Sequence, residues 1–519
     1  MIDPTKLPDD VTALKAMILA QSEQNARLEA LVKALRQAMF GRKSEKIDPD
    51  QFELALEDIE AGMTCLEAEG ETNELVTPSQ TSKPRIANRG SLPKHLERVE
   101  IAIEPDETTC SCGAERHVIG EDISERLDVI PAQFRVIVTR RPKYACRSCE
   151  DGIVQAPAPA SLIAGGIPTE ATVAHVLVSK YADHLPLYRQ AQIYSRQGID
   201  LERSTLASWV GKAAYELTPV FDCLIQNLKQ SSKLFMDETR APVLDPGRGR
   251  TKTGYFWALA RDDSAWNGQE AQSVADTTGN ITGPPGVAFT YAPGRSGHYA
   301  DDILQGFSGI LQVDGYAGYN RLIRPDRQEG PIQLAYCWAH ARRKLHEVAR
   351  NTTAPIAEAG LKQIAALYRI ETDIRGHSPK ARLAIRRERS APRIKAFEKW
   401  LHKHRAQVSG KSPLGQALKY IAKYWDGLCL FLSDGRIEID NNAVERTIRP
   451  IALNRKNALF AGHDAGAKNW AIIASLIETA KLNKIEPHAY LTDTLRAIVN
   501  GHKQSQIHQL LPWNHTPTV

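Results

Sequence analysis

Cysteine is scarce in this chain: eight residues in 519, four of them scattered, which leaves no disulfide scaffold. No run of eighteen apolar residues occurs, so no membrane-spanning helix is encoded, and the chain opens without the charged-then-apolar pattern of a secretory leader. It reads as soluble and cytosolic. Excess charge is also small, at +5, so the whole chain is not a polycation. Basicity comes instead in local tracts, such as "HARRKLHEVAR" from His340 and "RLAIRRERSAPRIK" from Arg382. Such tracts suit a polyanion partner, and the plainer alternative for any one of them is a solvated helical face. Two chemistries lack their motif. There is no Gly-x-Ser-x-Gly elbow, and "SGKS" at Ser409–Ser412 has Arg405 where a phosphate loop needs its first glycine.

What is present falls into segments. The length allows two to four domains, and 42% hydrophobic residues is enough for packed cores. Leu7, Leu14, Leu28 and Leu35 share one heptad position, with Gln21 in the gap, and Val11, Ile18, Asn25, Val32 and Met39 share the facing one. β-Branched residues and one Asn at a, with Leu at d, favour a parallel two-stranded coiled coil over residues 1–60 and hence at least a homodimer. Residues 61–95 are polar and rich in Pro, Ser and Thr, and read as a linker. Residues 96–156 alternate like strands, as in "AQFRVIVTRRPKYAC", and carry two cysteine pairs, Cys110/Cys112 and Cys146/Cys149. Four thiolates on two turns make a tetrahedral zinc cage, although the first pair is one residue tighter than the usual knuckle; His117 is a substitute ligand. Residues 160–230 are helical. Within them, "LYRQAQIYSRQ" and "ERSTLASWVGKAA" flank a turn at Gly198, a helix-turn-helix arrangement that places Arg203, Ser204 and Thr205 where bases are read.

Two apolar runs end in acids. Leu234, Phe235 and Met236 lead into Asp237, and Ile310, Leu311 and Val313 lead into Asp314. Each pattern reads as a core strand ending in a carboxylate, and the 77-residue separation permits adjacent strands in one sheet; either acid alone could instead be a turn residue or a helix cap. A third acid comes from "IEIDNNAVERTIRPIALNRKN", which mixes Asp440 and Glu445 with many cations. Three carboxylates on a mixed sheet are what a hard, oxygen-seeking ion such as Mg2+ (or Mn2+) needs for phosphodiester chemistry.

Taken together, "FGRKSEKIDPDQFELALEDIE", the cysteine unit, "MDET", "LQVDGYAGYN", "CWAHARRK" and "DNNAVERTIRPIALNRKN" resemble the DDE transposases of the insertion-sequence sixty-six family, and the similarity runs through most of the chain. The resemblance implies an RNase H-like catalytic core over 231–480 with a helical insertion at about 325–435, followed by a C-terminal tail region at 481–519. Overall this is a multidomain α+β chain. It implies a catalytic triad of Asp237, Asp314 and Glu445 holding Mg2+, with zinc in the cysteine unit. Asp440 or Asn441 is expected to cap the helix that presents Glu445. Arg342, Arg343, Arg446, Arg449, Arg455 and Lys456 are expected on the DNA backbone, as is the basic segment Arg382–Lys399. The partners implied are terminal inverted repeats, target DNA and accessory proteins of the same element, in the bacterial cytosol. Two other readings share these residues: a DNA-binding regulator without chemistry, and a structure-specific nuclease on the same core.

Overall fold

The structure, a computed structural model, describes residues 134–144 and 154–516, apart from 164, 246–249, 268–282, 329, 331, 352–353, 459–460 and 462. The coiled coil and linker expected over residues 1–95 lie outside the described residues, as do Cys110, Cys112, His117, Cys146 and Cys149. The chain divides into two units, Met1–Val138 and Thr139–Val519, and every regular element described belongs to the second. Of the strand expected from "AQFRVIVTRRPKYAC", the described residues show Lys143–Tyr144, paired antiparallel with Val154–Gln155. Val136, Ile137 and Val138 are exposed and lie outside any strand. Among the described residues this ladder holds two pairs, Lys143 with Gln155 and Tyr144 with Val154.

Three helices come next: α1 (Glu170–Tyr181), α2 (Leu187–Ser195) and α3 (Arg203–Lys229). Thr169 caps α1 by accepting the Thr172 N–H at 3.3 Å. Between α2 and α3 the chain reverses at Gly198, whose φ of 77° is a left-handed conformation that suits glycine. The second half of α3 is a core element. Leu217, Val220, Leu224 and Leu228 are fully buried in the cluster that also contains the sheet.

The sheet has five strands: β1 (Lys233–Asp245), β2 (Arg250–Arg261), β3 (Gly286–Ala292), β4 (Ile310–Val313) and β5 (Gln333–Tyr336). Their spatial order is β3-β2-β1-β4-β5. The β1–β2 and β2–β3 pairs are antiparallel, and the β1–β4 and β4–β5 pairs are parallel. A short helix, α4 (Gly297–Ile303), connects β3 to β4. The near-complete burial of β3 and β4 reflects cover on both faces.

After β5 come α5 (Trp338–Asn351), α6 (Pro355–Asp373), α7 (Pro379–Ile385), α8 (Ala391–Gln407) and α9 (Pro413–Lys423). These form a second core around Trp338, Phe397, Leu418 and Phe431. The chain then returns to the sheet through α10 (Asn442–Ala458), α11 (Asp464–Leu482) and α12 (Pro487–Val499). Helix α11 covers the free edge of β3. Ser475 Oγ accepts the Phe289 N–H at 2.7 Å and Thr479 Oγ1 accepts the Val287 N–H at 3.1 Å, so these edge donors are paired rather than open to another chain. Residues of α12 and Leu511 bury into the same cluster as the sheet.

The expectation that the basic segment Arg382–Lys399 lies on DNA is overturned for two of its cations, while Arg387, Arg389, Arg393, Lys395 and Lys399 are exposed. Arg382 and Arg386, placed on DNA by the sequence reading, are 1% and 0% exposed. Arg386 donates to both oxygens of Glu371, at 2.8 and 2.6 Å, and to the carbonyls of Phe431, Asp434 and Ile437. Arg382 reaches Glu438 at 2.9 Å and Glu371 at 3.5 Å. Buried guanidinium groups need acceptors: Glu371 and the carbonyls of Phe431, Asp434 and Ile437 supply those of Arg386, and Glu371 and Glu438 supply the counter-charge of Arg382. This tract therefore holds the segment that leads to Glu445. Removing the counter-charge with Glu371→Ala leaves two buried cations under-paired, and the expected loss of unfolding free energy is about 3–5 kcal/mol. Urea denaturation checks this, and a loss below about 1 kcal/mol would place the network at the solvated surface.

Candidate active site

The register places two acids level with each other. β1 and β4 run parallel with Phe235 opposite Gln312, so two residues further on Asp237 stands beside Asp314. Asp314 follows the last residue of β4, as the apolar run implied. Asp237 does not end its strand: β1 continues to Asp245 in its long hairpin with β2. What ends near Asp237 is the parallel ladder to β4, whose last pair is at Phe235. The acid therefore occupies the lip of the sheet, where a partner strand has just run out. Pro242, lacking an N–H, is tolerated further along because β1 has left β4 behind there, and its carbonyl accepts from Ala461 instead.

The turn after Asp314 is held from both sides. Its Oδ1 accepts the N–H groups of Gly315 and Tyr316 at 2.6 and 2.8 Å. Gly315 has φ 138°, and a Cβ there would lie 2.7 Å from the Tyr420 hydroxyl, so only glycine fits. From the insertion, Tyr420 donates to the Asp314 carbonyl at 3.1 Å and Tyr424 to that of Gly315 at 2.6 Å.

Glu445 stands in the first turn of α10. Asp440 accepts the Asn442 N–H at 3.1 Å and its side-chain amide at 2.9 Å, and Glu445 donates its N–H to the Asn441 carbonyl at 3.3 Å. Asp440 is thus spent on starting the helix, and the charge of Glu445 acts on Asp237. The segment before it is clamped by Gln312. That amide donates to the Glu438 and Asp440 carbonyls at 2.9 and 3.3 Å and accepts the Glu438 N–H at 2.9 Å. Helix α10 is fixed along β1 by Arg455, which donates to Thr239 Oγ1 at 3.0 Å and to the Arg240 carbonyl.

The electrostatics show that these acids feel one another. Burial pushes the Asp237 carboxyl well above its ordinary range; the charges of Glu238, Asp314 and Glu445 push the same way, against the Glu238 N–H bond. Glu238 is also raised, first by burial, although Tyr319 donates to it at 2.7 Å and Arg295 pairs with it at 2.5 Å. Burial likewise raises Asp440, against its bonds to Asn442 and Tyr368.

Sequence reasoning gave no role to Gln312, Glu238, Arg295, Cys337 or His340. The signal for Gln312 was available, since it is the one polar residue in a fully buried four-residue strand. Cys337 sits at the N-cap of α5, its carbonyl accepting the Ala341 N–H and its Sγ the Asn441 N–H at 3.3 Å. Burial pushes its thiol up to about 12, with the His340 and Asn441 N–H groups pulling the other way. His340 Nδ1 lies 3.8 Å from Glu445 Oε1; burial lowers the imidazole, which the Glu445 charge partly offsets.

The residues expected on DNA are distributed as follows. Arg203 is exposed at the start of α3, Ser204 donates to Glu202 at 3.1 Å, and Thr205 is half-buried. Arg342 and Arg343 are exposed on α5. On α10, Arg449 and Lys456 are exposed, Arg446 is 3.6 Å from Asp262, and Arg455 is engaged with β1.

Comparison with known proteins places this arrangement. Residues 165–469 match the family described as Transposase IS66 family. The chain belongs to the transposase IS66 family. Three further matches belong to the same kind of element: a zinc-finger binding domain of transposase IS66 over 107–150, the segment with all four clustered cysteines, the IS66 C-terminal element over 475–513, and a domain described as Transposase C of IS166 homeodomain over 27–101. Among curated relatives, the uncharacterized protein y4qI of Sinorhizobium fredii is 41% identical over 98% of this chain and 98% of its own length. The uncharacterized protein y4jD of the same organism is also 41% identical, over 98% of this chain and 97% of its own. Membership in the IS66 family implies a DNA-binding transposase. Among the described residues, no helix is long and apolar enough to cross a membrane.

The raised Asp237 gives a prediction with a definite sign. The folded chain keeps a proton at Asp237 that the unfolded chain releases near 3.8, so stability falls as pH rises from 3.8 through the folded pKa. Asp237→Asn removes that penalty. In the absence of divalent cations this variant is expected to melt higher than the native chain, with an advantage that grows with pH and vanishes below 3.8. Thermal scans over a pH series check this, and a gain independent of pH would contradict the electrostatic cause.

Proposed function

We propose that this chain is a DNA transposase that binds the terminal inverted repeats of its element and catalyses metal-dependent strand cleavage and strand transfer. The observation that carries the reading is that Asp237 and Asp314 stand side by side on neighbouring parallel strands, with the charge of Glu445, at a helix start, acting on Asp237. The strand order β3-β2-β1-β4-β5, three antiparallel strands followed by two parallel ones, supports an RNase H-like core.

The acids fit a divalent ion on chemical grounds. All donors are carboxylate oxygens, as Mg2+ or Mn2+ prefers, and Asp237 is buried among like charges that a bound cation would relieve. When bound, such ions activate the attacking oxygen and stabilise the leaving one. The protein's part is placement. Gly315 and Tyr316 fix the Asp314 carboxylate, Asp440 and Gln312 fix the start of α10, and the exposed Arg342, Arg343, Arg449 and Lys456 offer cations to phosphates. Water or a DNA 3′-hydroxyl serves as nucleophile, so no nucleophilic side chain is required. The cysteine unit carries zinc, and with α2–α3 it reads the ends; the N-terminal heptads pair two chains on two ends.

The test is cleavage and joining of a labelled element end with Mg2+. Asp237→Asn, Asp314→Asn and Glu445→Gln are each expected to slow chemistry at least about 1,000-fold, equivalent to about 4 kcal/mol, while DNA binding persists. Asp440→Asn, which keeps an acceptor at the cap, is expected to retain chemistry. If Asp440→Asn is dead and Glu445→Gln is active, the third acid is misassigned. If the native chain binds ends and never cuts them, even with accessory proteins of the element, the regulator reading replaces this one.

A further inference from the structure

Glu445 has neighbours that the proposed chemistry leaves unused. Cys337 Sγ, His340 Nδ1 and a Glu445 carboxylate oxygen lie within 4.8 Å of one another. His340 Nδ1 and Glu445 Oε1 are 3.8 Å apart, too far for a hydrogen bond, yet both atoms are shielded from solvent and neither has a hydrogen-bond partner among the described residues. Two complementary polar atoms held apart without partners mark a space that a third atom fits. Zinc bonds of about 2.0–2.3 Å in a tetrahedral arrangement set neighbouring ligand atoms about 3.3–3.6 Å apart, close to this spacing.

The local fold pre-sets the other ligand. Cys337 and His340 are three residues apart at the start of α5, so thiol and imidazole share one side of its first turn. The Asn441 N–H donates to Sγ, and the helix N-terminus also favours negative charge there. Asn441 itself is fully buried, and both atoms of its side-chain amide lack a hydrogen-bond partner.

We propose that Cys337, His340 and Glu445 form a further metal site, which takes one divalent ion of the zinc class through sulfur, nitrogen and oxygen. Thiolate and imidazole select such an ion over Mg2+, which distinguishes this site from the all-oxygen acid cluster. Three protein ligands leave one position open. The ligand set stands on the geometry of α5 and α10. One consequence rests on the transposase reading: an ion here engages Glu445 and so competes with its use beside Asp237 and Asp314.

The test measures zinc per chain after dialysis of the full-length protein, comparing native with Cys337→Ser, His340→Ala and, as a remote thiol control, Cys223→Ser. Zinc in the cysteine unit is common to all four. Cys337→Ser and His340→Ala are each expected to carry one zinc fewer than native, and Cys223→Ser the same as native. Co2+ substitution adds a second readout: a thiolate-to-cobalt absorption band that is lost in Cys337→Ser. His340 is half-buried whereas Cys337 is fully buried, so the histidine variant is the one expected to fold if the thiol variant does not. Equal zinc in native and His340→Ala overturns the site. Strand joining by the native chain is scored separately. A chain that joins DNA but shows no zinc difference loses this proposal and keeps the transposase reading; one that shows the difference but joins nothing does the reverse.

Discussion

The side-chain amide of Gln312 ties together the two parts of the chain that carry the second and third acids. It lies on β4, two residues before Asp314, and binds the backbone of Glu438 and Asp440, just before the helix of Glu445. The acids tend to repel one another, so their approach depends on backbone fixed by other bonds. A buried amide that makes three such bonds is costly to displace, because each freed partner would lie unpaired away from water. The strand, the return segment and the helix start therefore behave as one rigid piece.

The helical insertion extends that constraint. Trp338 and Phe397 build its own core, and the Trp338 Nε1–H donates to the Leu428 carbonyl at 2.7 Å. Two of its features reach the acids: tyrosines 420 and 424 grip the turn at Asp314, and Arg382 and Arg386 grip the chain from Phe431 to Glu438. An insertion between the second and third acids, held at both, is a scaffold for the site rather than an appendage. The exposed cations of α5 then lie on the element that follows β5 directly.

Much of this was legible in the sequence. The apolar runs before Asp237 and Asp314 read as strands because burial on both faces needs continuous hydrophobic residues, and the turn at Gly198 reads from glycine's freedom at positive φ. Other features were hidden for physical reasons. That β1 runs on past Asp237 depends on pairing with β2, and Pro242 inside it argues locally against a strand. Arg382 and Arg386 look like surface charge because their acceptors are carbonyls and Glu371, Glu438, brought in by tertiary folding alone. Cys337 and His340 stand more than one hundred residues before Glu445, so no local pattern joins them to it.

The central claim is that Asp237, Asp314 and Glu445 form one cation-binding centre. The most direct measurement is Mn2+ affinity by electron paramagnetic resonance on the DNA-free chain, for native, Asp237→Asn, Asp314→Asn and Glu445→Gln. The account predicts that each single substitution weakens binding by at least about tenfold, or about 1.4 kcal/mol. If Glu445→Gln binds Mn2+ as tightly as native while the two aspartate variants do not, the helix acid stands outside the centre and the claim fails.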